Sequence, residues 1–256
     1  MNFLIAAKTD CGLRKKANQD SLCVMRIQSS LGPMAFAVLC DGMGGLEKGE
    51  QASAAVVKAF RRWAVETLPQ LCASQLEEQT IREQWLQIAR EQNQHIKHYA
   101  DRLNIRIGTT AVVLLLTQSK YYILNVGDSR AYEIGNSIRQ ITWDQSLVAR
   151  EVAAGRLTAA EAEKDSRRNI LLQCIGGADQ VVPDVYFGDI CKDAVYMLCS
   201  DGFRHEISPE EFLTAFYPPD LQDEESMGTL LLELIDVNKS RNERDNISAL
   251  LIKFTE

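Results

Sequence analysis

Met34-Ala35-Phe36-Ala37-Val38-Leu39-Cys40-Asp41-Gly42-Met43-Gly44-Gly45 runs from an apolar segment of strand character into a glycine loop, and helical periodicity begins near Glu47. A strand, a glycine loop and a helix in that order suggest a phosphate cradle, but neither common version fits. Counted from Gly42, the third glycine of a dinucleotide fingerprint falls on Glu47, and Asp41 would repel a pyrophosphate. The Gly-Lys-Ser/Thr of a nucleoside-triphosphate loop is missing as well. The reading that remains is that Asp41 binds a cation and the glycines let backbone atoms approach it closely.

Working outward, the same arrangement recurs. The apolar run 195–200 leads into Asp201-Gly202, and the run 121–126 leads into Gly127-Asp128. Asp20 immediately precedes the run 21–27, and Asp245-Asn246 immediately precedes the run 248–254. A lone Asp-Gly is ordinarily a turn. Five aspartates at strand ends, namely Asp20, Asp41, Asp128, Asp201 and Asp245, instead predict one all-oxygen site if those ends converge. Such a site selects hard cations, Mg²⁺ or Mn²⁺, over zinc. Two of them would share and deprotonate a water, orient a phosphate ester and neutralise the charge that develops during in-line displacement.

Bulk properties leave this reading open and close others. With 35 acidic against 28 basic residues the net charge is −7, which lacks the basic face of a nucleic-acid binder. The seven cysteines show no zinc-knuckle spacing, and most sit in apolar runs, as expected of buried thiols in a reducing compartment. The longest uninterrupted apolar stretch, 111–116, is far too short to cross a membrane. The opening residues lack a basic leader and read as a first strand rather than a signal peptide. A cytoplasmic protein is expected.

Strand signals over 3–7, 21–27, 34–40, 110–116, 121–126, 130–134, 195–199 and 248–254 are punctuated by Gly, Asp, Asn or Pro. The turn Ile134-Gly135-Asn136-Ser137 predicts an antiparallel hairpin. Ala52, Val56, Ala59, Phe60 and Trp63 share a helix face, with Pro69 expected to end that helix. Ile81, Trp85, Ile88, Ile96, Tyr99 and Leu103 describe a second helix, and Leu230, Leu231, Leu234 and Ile235 a third. Strands and helices come in blocks, which predicts an α+β fold with mostly antiparallel sheet. Residues 146–168 are polar and helix-prone, as a flap over a site would be, and the chain is expected to form one domain over 1–256.

These residues together resemble the metal-dependent protein phosphatases of the 2C class. The resemblance rests on Gly12 through Asn18-Gln19-Asp20, Asp41-Gly42-Met43-Gly44-Gly45, Gly108-Thr109-Thr110, Gly127-Asp128-Ser129-Arg130, Ser200-Asp201-Gly202 and Arg244-Asp245-Asn246, in the family's order. Met43 is similar to the bacterial branch. The resemblance implies a central antiparallel β-sandwich flanked by helix pairs, a four-layer α/β/β/α architecture, with two Mn²⁺ or Mg²⁺ ions at one end. It makes Asp20, Asp41, Asp201 and Asp245 metal ligands, adds the Gly42 carbonyl, and gives Asp128 to a third, weaker metal. The implied activity is hydrolysis of phosphoserine and phosphothreonine in phosphorylated protein substrates, opposed by a serine/threonine kinase.

The departures are as informative. Lys15, beside Arg14, stands where the family usually places a phosphate-binding arginine, and lysine offers a point charge rather than a bidentate fork. On an extended strand the two would point to opposite faces, so one alone should reach the site. Met43 replaces a histidine proposed as general acid in animal members, and a thioether donates no proton. His205 replaces a further acid of the third site. Gln145 interrupts an Asp-His-Ser, and Asp144 is read as structural. His95 and His98 share a helix face without a ligand partner. The Lys15, Gln145 and His205 departures motivate an alternative, a pseudophosphatase that binds a phosphoprotein without turning it over. A phosphatase of small phosphoesters is a third reading.

Overall fold

The computed structural model describes residues 2–44, 48–74 and 76–255. Gly45 and the expected helix start near Glu47 lie outside these residues, and the helix is described from Gly49 onward.

Every strand read from the sequence is present. One sheet has the order β1-β11-β10-β7-β8, built from β1 (Asn2–Asp10), β7 (Arg130–Ile134), β8 (Ile138–Gln140), β10 (Val195–Cys199) and β11 (Ile247–Thr255). The other has the order β2-β3-β5-β6-β9, built from β2 (Asp20–Ser29), β3 (Gly32–Gly44), β5 (Ala111–Leu116), β6 (Lys120–Val126) and β9 (Asp184–Asp189). The three-residue β4 (Ile107–Thr109) pairs with the far end of β3. All these pairings are antiparallel.

Side-chain alternation in β3 builds the layers. Ala35, Ala37 and Leu39 point into the apolar layer between the sheets, with Leu114, Leu198 and Ile252. Phe36, Val38 and Cys40 point the other way, into a core shared with helices. A strand buried on both faces must be apolar at every position, which is why 34–40 reads as a continuous run rather than an alternation. Met197, Ala249 and Leu251 do the same for the second sheet, whose outer face meets Phe203, Phe212, Phe216 and Leu231. The result is the expected α/β/β/α stack.

On the first side lie α1 (Gly49–Arg62), α2 (Leu68–Ser74) and α3 (Glu78–Leu103). Trp85 of α3 is fully buried, with its ring centroid 5.3 Å from Trp63, 6.2 Å from Phe60 and 6.4 Å from Phe36. Pro69 does not end the helix as expected. A π-helical turn, Trp63–Thr67, joins α1 to α2, and the Leu68 N–H reaches back to the Trp63 carbonyl. The widened turn moves carbonyls away from the place where the pyrrolidine ring would collide, so the chain stays helical to Ser74.

Between β8 and β9 stand α4 (Leu147–Ala153), capped by Ser146, and α5 (Ala159–Lys164), capped by a Thr158/Glu161 capping box. The second side carries α6 (Asp201–Arg204), α7 (Pro209–Ala215) and α8 (Glu224–Ser240). Strands β4, β8 and β9 were not anticipated. Two are only three residues long, and β9 is half-buried with weak alternation. No helix among the described residues is long and apolar enough to cross a membrane.

Replacing Trp85 with Ala should lower stability by about 3–5 kcal/mol through the cavity left among three aromatic rings. Denaturant titration measures this, and a loss under about 1 kcal/mol would contradict the packing described.

Candidate metal centre

The acids meet because of register and chain direction. Asp20 begins β2 and Asp41 lies near the end of β3, and the two are direct cross-strand partners, so their side chains share one face. From the other sheet, Asp201 follows β10 and Asp245 precedes β11, whose neighbouring positions Cys199 and Ala249 are paired. Four acids thus converge at one end of the sandwich. Gly127, at φ +100°, turns the chain after β6 to bring in Asp128, and a side chain there would run into Thr110. Gly42 is buried, donates its N–H to the Gln19 carbonyl at 3.1 Å, and has no room for a Cβ against the carbonyl oxygens of Gly49 and Gln19.

Asp20 is buried, and its Oδ2 accepts from the Ser200 hydroxyl at 3.0 Å. Its Oδ1 has no hydrogen-bond partner among the described residues, and neither has Asp201 Oδ1. Burial pushes the Asp20 carboxyl up to about 7, against the pull of Ser248 and Ser200 and with the push of Asp201 and Asp245. Asp41 is raised well above the usual carboxylate range, first by burial and then by Asp20, Asp201, Asp245 and Asp128. Its backbone is tied down by Thr109 and Thr110, whose hydroxyls bond its carbonyl and N–H at 2.9 Å each.

The segment between β1 and β2 is a loop, so Arg14 and Lys15 do not sit on the extended strand that was anticipated. Lys15 places its Nζ 2.6 Å from Asp245 Oδ1. Burial works against its ammonium, but Asp245, Asp41 and Asp201 outweigh that and raise its pKa. Arg14 is exposed and makes no hydrogen bond or ion pair among the described residues. Buried Asn246 pins the loop by accepting from the Gln19 N–H at 2.9 Å and donating to the Cys11 and Ala17 carbonyls at 2.9 and 3.2 Å.

Asp128 has different company. Arg204 Nη2 lies 3.2 Å from its carbonyl and 3.4 Å from its Oδ2. Burial and Asp201 push the Asp128 carboxyl up to about 7, with Arg204 pulling the other way. Asp144 is structural, as read: Arg130 grips both its oxygens at 2.8 and 2.7 Å. Gln145 braces the Asp128 loop, exchanging backbone and side-chain bonds with Gly127 at 2.9 and 3.0 Å. His205 lies 3.6 Å from Asp201 and 3.3 Å from Glu243. His95 and His98 are exposed on α3. Arg204, Ser248 and Glu243 carried no local pattern that marked them, and Ser200 stood in a marked motif without a role, because their partners are remote in sequence.

Among the described residues no three His, Cys, Asp or Glu side chains form a cage that would hold an ion alone. Mg²⁺ and Mn²⁺ keep several waters and bind through one or two carboxylates each. Buried, unpartnered carboxylate oxygens on Asp20 and Asp201, with no thiolate or imidazole among the four acids, fit such hard cations.

A profile of the family described as Protein phosphatase 2C matches residues 13–226. The chain belongs to that family. It is 30% identical over 250 residues to the serine/threonine phosphatase Stp of Listeria innocua, covering 96% of this chain and 94% of the relative. The crystal structure of the serine/threonine phosphatase Stp1 from Staphylococcus aureus is similar with a TM-score of 0.85 and 28% identity, covering 98% of this chain and 95% of that one. A structure of the catalytic domain of the phosphatase PstP in complex with 2 manganese ions is similar with a TM-score of 0.77 and 25% identity, covering 99% of each chain.

Asn246→Ala should cost about 1–3 kcal/mol, since it strips buried hydrogen bonds from the loop carrying Lys15. Hydrogen exchange is the measurement: amides of residues 11–19 should lose protection, and an unchanged exchange pattern there would disprove the anchoring role.

Proposed function

We propose that the chain is a serine/threonine protein phosphatase that hydrolyses phosphoserine and phosphothreonine with two divalent cations, Mn²⁺ or Mg²⁺. The observation that carries this is the convergence of Asp20, Asp41, Asp201 and Asp245 at one end of the sandwich with two buried carboxylate oxygens left without partners. Asp20, Asp41, Asp201, Asp245 and the Gly42 carbonyl would hold the ions. When bound, the cations supply Lewis-acid activation of water and neutralise charge developing on the phosphoryl group.

The chain's own residues do the rest. Ser200 orients Asp20 through its hydroxyl, and Thr109 and Thr110 fix the Asp41 backbone, so the acids are held without relying on the ions. Lys15, already beside Asp245, supplies the positive charge for the substrate phosphate, while Arg14 faces solvent. Met43 donates no proton, so the leaving alkoxide takes its proton from water. Residues 146–168 act as a flap contacting the protein substrate within a single domain over 1–256. A serine/threonine kinase acts on the same substrates. The seven cysteines are all free, which suits work in the reducing cytoplasm.

The departures that favour a pure binding module lose force against the acids. Four carboxylates gathered without cations repel one another, and the Asp41 pKa is raised by burial first and then by Asp20, Asp201, Asp245 and Asp128. Gln145 has a bracing task of its own at Gly127.

A phosphothreonine peptide should be cleaved only with Mn²⁺ or Mg²⁺ present, and faster than a free sugar phosphate. Asp41→Ala or Asp201→Ala should reduce kcat on the order of 10²–10³-fold or more. Full activity in both variants would sink the proposal, and absence of Mn²⁺ binding in calorimetry would favour the binding module. Lys15→Ala should raise KM for the phosphopeptide about tenfold, matching the loss of one charge-assisted contact, whereas Arg14→Ala should leave it unchanged. The reverse result would exchange their roles.

A further inference from the structure

Resting on the two-cation reading above, we infer that Arg204 is a built-in replacement for a third divalent cation, so that Asp128 binds a guanidinium and the chain holds two metal ions, not three. Asp128, which is buried, and the largely covered Asp144, Arg130 and Arg204 form one group. Arg130 donates from Nε and Nη2 to the two oxygens of Asp144 at 2.8 and 2.7 Å, and from Nη1 to the Tyr132 hydroxyl at 2.8 Å. Arg204 sits between the two acids, with Nη2 at 3.4 Å from Asp128 Oδ2 and 3.6 Å from Asp144 Oδ2. Its side chain is only 12% exposed and that of Asp128 8%.

With both acids ionised, two carboxylates face two guanidiniums, so the formal charges of these four groups balance without any metal, and Asp201 is the further acid acting on Asp128. A guanidinium does not deprotonate in a protein, so this positive charge is permanent. A divalent ion on Asp128 would stand against Arg204 in a poorly hydrated site, where repulsion between cations is screened little. The next position withholds help as well: His205 contributes an imidazole turned to Asp201 and Glu243, where a third cation would want another carboxylate.

The arrangement also connects the site to the flap. Arg204 bonds the Asp128 carbonyl, Asp144 precedes Gln145, and Gln145 is bonded to Gly127. A fixed guanidinium therefore holds the loop at Asp128 whatever the metal concentration, which an exchangeable ion would not.

The test counts ions. Equilibrium dialysis against Mn²⁺, with total metal measured per chain, should give two ions for the unmodified protein and two for Asp128→Asn. Arg204→Gln should gain a third, weaker ion, and Arg204→Gln with Asp128→Asn should return to two. Arg204→Lys, which keeps the charge, should stay at two. A bound ion that Asp128→Asn removes from the otherwise unmodified protein would overturn the inference, and so would an Arg204→Gln count that stays at two in a folded protein. If Arg204→Gln fails to fold, the Asp128→Asn comparison decides alone. Binding of no Mn²⁺ by the unmodified protein would overturn the two-cation reading along with this one, a result distinct from the loss of a single ion.

Discussion

Two carboxylates facing each other across an antiparallel ladder are a constraint that the rest of the structure must meet. Asp20 and Asp41 are direct partners in the β2–β3 register, and like charges in that relation destabilise a sheet. The hairpin cannot resolve this alone. Lys15 from the preceding loop, serine hydroxyls from the opposite sheet and Thr109 and Thr110 at the end of β4 all lean toward the pair. What remains unmet, the bare oxygens of Asp20 and Asp201, defines the chemistry that the site can accept.

The sandwich tolerates this because its stability comes from elsewhere. Apolar layers lie between the sheets and on both outer faces, and the acids occupy only one end. Alternating residues of β3 feed two of those layers. The strand that delivers Asp41 is therefore clamped on both faces up to Cys40, so a charged end is held rigidly by an uncharged body.

Much of this was legible in the sequence. All eight strands that were read are present, because burial on two faces leaves apolar runs in β3, β5, β6, β10 and β11 and because glycine, aspartate, asparagine or proline punctuates the ends of all eight. The five aspartates stood out for the same reason: each adjoins such a run. What escaped was either too short to show a period, as with β4 and β8, or dependent on remote partners. Arg204 and Asp128 are 76 residues apart, and Arg204 belonged to none of the motifs that stood out. Pro69 misled because a widened turn ahead of it removed the clash that normally makes proline a helix terminator. Lys15 was legible as a residue type, but its place beside Asp245 emerged only from the path of a loop.

The pairing of β1 with β11 also sets a schedule. Asn246, next to one of the four acids, fixes Gln19, next to another, and the two positions are 227 residues apart. At roughly 5–20 residues per second of synthesis, the hairpin bearing Asp20 and Asp41 leaves the ribosome on the order of 10–45 s before the strand that completes the cluster. Through that interval the nascent chain has half of a charged pocket and an unpaired first strand. The cluster of acids is therefore complete only once β11 has slotted between β1 and β10.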